Sequence, residues 1–159
     1  MKKALILISI IFFQIININA QEANAIDKLN WISTYDEAKK LAKEENKPIL
    51  IFFTGSDWCG ICKMLDKDFL STKKFKKIAD ESLILYKADF PRRTDLVSAE
   101  QKKVNEKLDK KYSKSRKKRS FPTIVITNAN GDELGYIESY NFIHDTTRHY
   151  GLIKEVLKD

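Results

Sequence analysis

The sequence predicts an α/β fold, and three observations predict it. Residues 49–53 form a continuous apolar run rich in β-branched and aromatic side chains, as expected of a strand buried on both faces. Segments of helical periodicity lie before and after it and alternate with further short apolar runs. Near the end of the chain, residues 123–127 and 133–137 flank the turn-rich Asn128-Ala129-Asn130-Gly131, which reads as an antiparallel hairpin. Parallel and antiparallel connections together imply a central mixed sheet flanked by helices.

Taken in order, the pattern turns helical from Ser33. Thr34-Tyr35-Asp36-Glu37 has capping-box spacing, Ala38, Leu41 and Ala42 share one face, and Asn46 with Pro48 marks the stop, so the helix should run to about Glu45. The strand at 49–53 follows. Thr54-Gly55-Ser56-Asp57 is the turn leaving its carboxyl end, where open α/β sheets place their reactive groups. Trp58-Cys59-Gly60-Ile61-Cys62 comes immediately after and opens a helix whose apolar face continues through Leu65 and Phe69. A bend or break is predicted near Ser71, because Ser71 and Thr72 can recap the chain before Phe75, Ile78 and Ala79 carry a second helical piece. Residues 83–88 return as a strand ended by Asp89-Phe90-Pro91. Ser98-Ala99-Glu100-Gln101 then opens a helix with Val104, Leu108 and Tyr112 on one face and charge on the others. After the hairpin, residues 146–157 close the chain as a helix, and no internal repeat or low-complexity linker interrupts the series.

The first twenty residues carry Lys2 and Lys3, an apolar stretch from Ala4 to Phe13, and a small residue, Ala20, at the end. That is the pattern of a secretory signal peptide, and the apolar stretch falls short of the roughly 20 residues of a membrane-spanning helix. Cleavage after Ala20 removes Lys2 and Lys3 and no acids, which lowers the net charge from +7 to +5. The expected mature chain, 21–159, is a single basic domain whose fold starts near Asp27. It is long enough to bury a core without disulfide staples.

Cys59 and Cys62 are the only two cysteines of the 159 residues. Spaced three apart at a strand-to-helix turn, they point to redox chemistry. If Cys59 caps the helix, its sulfur faces unpaired backbone N–H groups and the positive end of the helix dipole. Both stabilise the thiolate and lower a free thiol pKa of about 8.5 into the range of roughly 3.5 to 7.5. Cys59 is then the attacking thiol, and Cys62, one turn on and shielded, is the resolving thiol. A structural disulfide is a weak competing reading, since so short a loop staples almost nothing. Zinc needs more ligands than two cysteines supply, and His144 and His149 are the only histidines. Lys63 follows Cys62 where covalent haem attachment requires histidine. No metal and no cofactor are expected.

The order of elements, with Trp-Cys-x-x-Cys at the first turn and Phe121-Pro122-Thr123 opening the strand before the hairpin, resembles the thioredoxin fold over about residues 27–159. The wording Thr54-Gly55-Ser56-Asp57-Trp58-Cys59, with Asp89-Phe90-Pro91-Arg92 downstream, resembles an exported bacterial thioredoxin-like subgroup. The resemblance implies that Pro122 is a cis-proline shaping a substrate groove and that Trp58, Gly60 and Ile61 belong to the docking surface. It also implies that Phe121 offers its backbone to an extended substrate, which pairs with it as an added strand. The sequence departs from the family in two ways, at the buried acid with its partner and between the cysteines. Phe53 stands where thioredoxins bury an aspartate six residues before the first cysteine, and the aspartate's lysine partner is replaced by an apolar residue near Leu85. Without that acid to relay its proton, Cys62 should deprotonate less readily and resolution should slow. Gly60-Ile61 matches neither the dipeptide of reducing thioredoxins nor those of oxidants and isomerases, so the direction of electron flow stays open.

Lys110, Lys111, Lys114, Arg116, Lys117, Lys118 and Arg119 form a cationic run ending just before Phe121. Overhanging the dithiol, it would favour acidic partners; as a solvated loop it would do nothing. An exported protein seldom meets nucleic acid, and few aromatics accompany the run, so nucleic acid is not the expected partner. The function expected is an exported, periplasmic or extracellular thiol-disulfide oxidoreductase acting on protein disulfides, as a reductase recharged by a membrane electron donor. The alternatives are a disulfide oxidase or isomerase, or a redox-inert binding or metal-delivery module.

Overall fold

The computed structural model describes residues 28–114 and 120–158. The expected signal peptide, the next few residues and four of the seven cations named above, Arg116, Lys117, Lys118 and Arg119, lie outside the described residues. Five strands form one mixed sheet in the order β1-β3-β2-β4-β5, from Trp31–Ile32 (β1), Ile49–Thr54 (β2), Ile84–Asp89 (β3), Thr123–Thr127 (β4) and Glu133–Glu138 (β5). Strands β1 and β2 both pair parallel with β3, while β4 runs antiparallel to β2 and to β5. The short edge strand β1 carries too few residues to show a period, which is why the sequence pattern did not reveal it.

Every residue of β2 is buried, and alternation splits its side chains between two cores. Leu50 and Phe52 join Cys59, Cys62, Leu65 and Phe69 on one face, whereas Ile49, Ile51 and Phe53 join Ala38, Ala42, Tyr86 and Leu108 on the other. The second face is covered by helices Tyr35–Glu45 (α1) and Ala99–Tyr112 (α4). The first is covered by the dithiol helix Gly60–Leu65 (α2), by Lys73–Ser82 (α3) and by the closing helix Thr147–Val156 (α5).

Local chemistry sets the boundaries. The Thr34 hydroxyl caps α1 by accepting from Glu37 N at 3.2 Å, and Asn46 ends that helix in the left-handed region at φ 51°. The predicted break after α2 is a π-helical segment, Asp66–Leu70, in which Ser71 N reaches back to Asp66 O at 2.7 Å. Thr72 then caps α3 through Phe75 N at 3.2 Å. On α4 the inward face expected from Val104, Leu108 and Tyr112 also carries a fully buried polar residue, Asn105. Its amide donates to Asp89 O at 2.9 Å and its carbonyl accepts from the Tyr86 hydroxyl at 2.7 Å, so burial leaves it satisfied.

Alternation sets the apolar residue expected near Leu85 relative to Phe53. Leu85 lies in the core of the dithiol face and Phe53 in the opposite one, so these two side chains do not share a face. Tyr86 and Ala88 are the β3 residues that share Phe53's side.

Candidate active site

The turn leaving β2 is built by two backbone hydrogen bonds to Gly55 O, from Trp58 N at 3.1 Å and Cys59 N at 2.8 Å. It delivers Cys59 to the N-cap of α2, with extended backbone at φ −81°, ψ 95°, and Cys59 Sγ accepts from Cys62 N at 3.2 Å. Cys59 and Cys62 form a disulfide across a Cα–Cα distance of 5.2 Å. Cys59 is 6 % exposed and Cys62 1 %, so the access solvent has to the pair comes by way of Cys59. Gly60, exposed on the lip, has no atom within 4 Å of where a Cβ would project, while Ile61 is half-buried against the core.

Trp58 lies flat on the turn. A Cβ on Gly55 would meet the indole at 2.3 Å, so only glycine leaves room for the ring. The indole N–H donates to Phe90 O at 2.9 Å, and Phe121 meets the ring edge-on at 5.7 Å. Phe121 also packs on Phe90 at 5.4 Å. The Phe121–Pro122 peptide is cis, Pro122 is buried, and Pro122 O accepts from Ser139 N at 2.8 Å. The structure thus gathers Trp58, Cys59, Gly60, Phe121 and Pro122 around the carboxyl end of β2, with Cys62 and Ile61 behind them.

Two carboxylates that motif reading passed over hold the turn in place. Asp57 accepts from Arg92 N at 3.0 Å and Arg93 N at 2.9 Å, and those bonds hold its carboxyl below the usual carboxylate range. Asp89, at the end of β3, accepts from Ser56 N at 2.8 Å and from the Ser56 hydroxyl at 2.5 Å. Phe90 N completes the seam by donating to Thr54 O at 2.8 Å. The sequence signal was present in the two phrases 54–59 and 89–92; their contact was not legible, because they lie about thirty residues apart.

On the far side, the segment after β5 is tied to the π-helical turn by a single acid. Asp68 accepts from the Tyr140 hydroxyl at 2.8 Å and bonds His144 Nδ1 at 2.5 Å; these two partners lower its pKa, His144 most. Burial and the Asp68 carboxylate push the Tyr140 hydroxyl up to about 12. Between the anchors, Phe142 and Ile143 are 72 % and 76 % exposed. His149 on α5 is buried between Phe69 and Tyr140, with Nδ1 unpartnered, and burial depresses its pKa to about 4. Of the basic run, Lys111 donates to Gly131 O at 2.5 Å, and Lys114 pairs with Glu133 at 2.7 Å. Both therefore brace the hairpin.

Comparison with known proteins agrees with this geometry. Residues 30–129 match a family model described as thioredoxin-like. The disulfide bond reductase DsbH of Chlamydia pneumoniae is 35 % identical over 118 residues, covering 74 % of this chain and 68 % of that protein. The thioredoxin-related protein DsbJ of the same organism is 30 % identical over 73 residues, which is 46 % of this chain and 21 % of that one. A solved structure of the DsbH oxidoreductase superposes with a TM-score of 0.70 at 31 % identity, covering 82 % of this chain and 85 % of the other. A disulfide at a helix N-cap, beside a cis-proline and on this sheet, is the arrangement of thiol–disulfide exchange, and the chain belongs to the thioredoxin-like family of disulfide oxidoreductases.

Proposed function

We propose that the protein is an exported disulfide reductase that acts on protein substrates through Cys59. The observation that carries the reading is the position of Cys59 Sγ, which caps α2 and accepts from Cys62 N. In the reduced protein the same N–H would stabilise the Cys59 thiolate. That thiolate attacks one sulfur of a substrate disulfide; a Cys59–substrate S–S bond forms, the substrate S–S bond breaks, and the other substrate sulfur leaves as thiolate. Cys62, deprotonated, then attacks Cys59 Sγ, which closes the internal disulfide and releases the second substrate thiol. Two electrons pass to the substrate, and a membrane electron donor returns them. Trp58, Gly60, Ile61, Phe121 and Pro122 form the surface on which the substrate lies, its backbone paired to that of Phe121.

The reducing direction is supported by the name of the DsbH relative, and export by the leader-like pattern of residues 1–20. Trapping tests the roles. Cys62→Ser, expressed with its leader and quenched in acid, should accumulate mixed disulfides through Cys59, and Cys59→Ser should accumulate none. Equal trapping by both variants, or by neither, would contradict the assignment.

A further inference from the structure

We infer that Arg92 is a specificity-determining residue that recruits an acidic side chain flanking the substrate's disulfide. The inference rests on the exchange reading above and names its substrate class. Arg92 is exposed, and its guanidinium lies 5.2 Å over the ring of Trp58, the residue directly before Cys59. Its place there is fixed from both ends. Asp57 holds the Arg92 backbone N–H, and Gly55, Phe90 O and Phe121 hold the indole.

The guanidinium has no ion-pair partner in contact among the described residues, although its charge acts on the nearby Asp57 carboxylate. Arg93, next along, gives its guanidinium to Asp95 in a two-bond fork at 3.1 and 2.5 Å. No carboxylate among the described residues lies within ion-pair distance of the Arg92 guanidinium, and Asp57 uses both oxygens on backbone N–H groups. A planar cation stacked on an aromatic ring retains its outward N–H edge for a carboxylate. Beside it opens a cleft of about 460 Å³ lined by Phe90, Pro91 and Val97; Arg93 and Asp89 also border it but are taken up by Asp95 and Ser56, which leaves Lys102 as a further cation and Glu106 as an opposing acid. Arg92 thus stands at the end of an aromatic platform running from Trp58 to Phe121, where an extended substrate would pass with a side chain over the indole. An Asp or Glu in that position meets a fixed guanidinium; a Lys meets repulsion.

Peptide disulfides differing in one residue beside the reactive cysteine (Glu, Gln or Lys) test this, with kcat/KM for exchange measured at about 20 and about 500 mM salt. Wild type should prefer Glu over Gln by about 3- to 10-fold at low salt and less at high salt. Arg92→Gln should abolish the preference while still exchanging the Gln peptide, and Arg92→Lys should keep part of it. A preference that survives Arg92→Gln, or none in wild type, would overturn the inference. Binding of the same peptides with the reactive cysteine replaced by Ser, followed by titration calorimetry, keeps the two readings apart. Arg92-dependent binding of the Glu peptide without exchange would sink the redox reading and leave the recruitment standing, whereas exchange without Arg92-dependent discrimination would do the reverse.

Discussion

The two segments that flank the dithiol are held in different ways. On the β2–β3 side, Asp57, Asp89, the Trp58 indole and Phe90 N close a seam in which every bond has a backbone group or a short side chain at one end. On the β5–α5 side, one carboxylate, Asp68, takes both Tyr140 and His144, and between them Phe142 and Ile143 point into solvent. The first side fixes the geometry of Trp58 and Cys59 before any substrate arrives. The second leaves an apolar tip on two side-chain anchors, one of them a titratable imidazole. Preorganisation is concentrated on the side that carries Trp58 and Cys59.

The sharpest way to break that contrast is to disturb the seam under the ring. Gly55→Ala places a methyl where the indole lies, at 2.3 Å. We expect a loss of about 1–3 kcal/mol in stability and about tenfold or more in exchange rate, read by urea unfolding and by an insulin-reduction assay. Asp89→Ala should follow. It strands Ser56 N and should cost about 2 kcal/mol, with a smaller fall in rate, and unchanged unfolding would show that the seam contributes nothing.

The pH dependence comes from the other side. His149 has a folded pKa near 4 against an ordinary 6.5, so between those values the unfolded chain binds a proton that the folded one does not. Stability is therefore complete above about pH 6.5 and falls as pH drops toward 4, with Tm lower by about 5 °C. His149→Leu should remove most of that slope in a thermal scan across this range. The smallest effect belongs to the outer anchor. Asp68→Asn should leave Tm within about 1 °C to 4 °C of wild type and speed hydrogen exchange at residues 141–145, while leaving amides 55–59 as protected as before.

Much of the fold was legible because its elements announce themselves locally. The apolar run 49–53 of β2, the Thr34, Thr72 and Ser98 caps, and the Asn128–Gly131 turn each rest on residues within a few positions of one another. The dithiol was legible for the same reason, since Cys59 and Cys62 lie on one helical turn. What the sequence hid is nonlocal or polar in a place where apolar residues were expected. Asn105 reads as part of a charged face, yet it is buried because Tyr86 and Asp89, on another strand, satisfy it. Asp57 and Asp89 read as turn residues, and only the sheet's parallel pairing of Thr54 with Asp89 brings the two loops together. Lys111 and Lys114 read as part of an overhanging cationic loop, whereas both are committed to the hairpin.

Cys59 and Cys62 are proposed above as a redox couple poised to donate electrons. The most direct test of that proposal is the equilibrium reduction potential of the pair, measured in dithiothreitol or glutathione buffers, with the Cys59 pKa taken from alkylation rate against pH. A reductase predicts a potential near that of thioredoxin, about −270 mV, with a Cys59 pKa below the ordinary thiol value. A potential near −120 mV would make the protein an oxidant, and a pair that resists reduction while the chain stays folded would contradict exchange chemistry altogether.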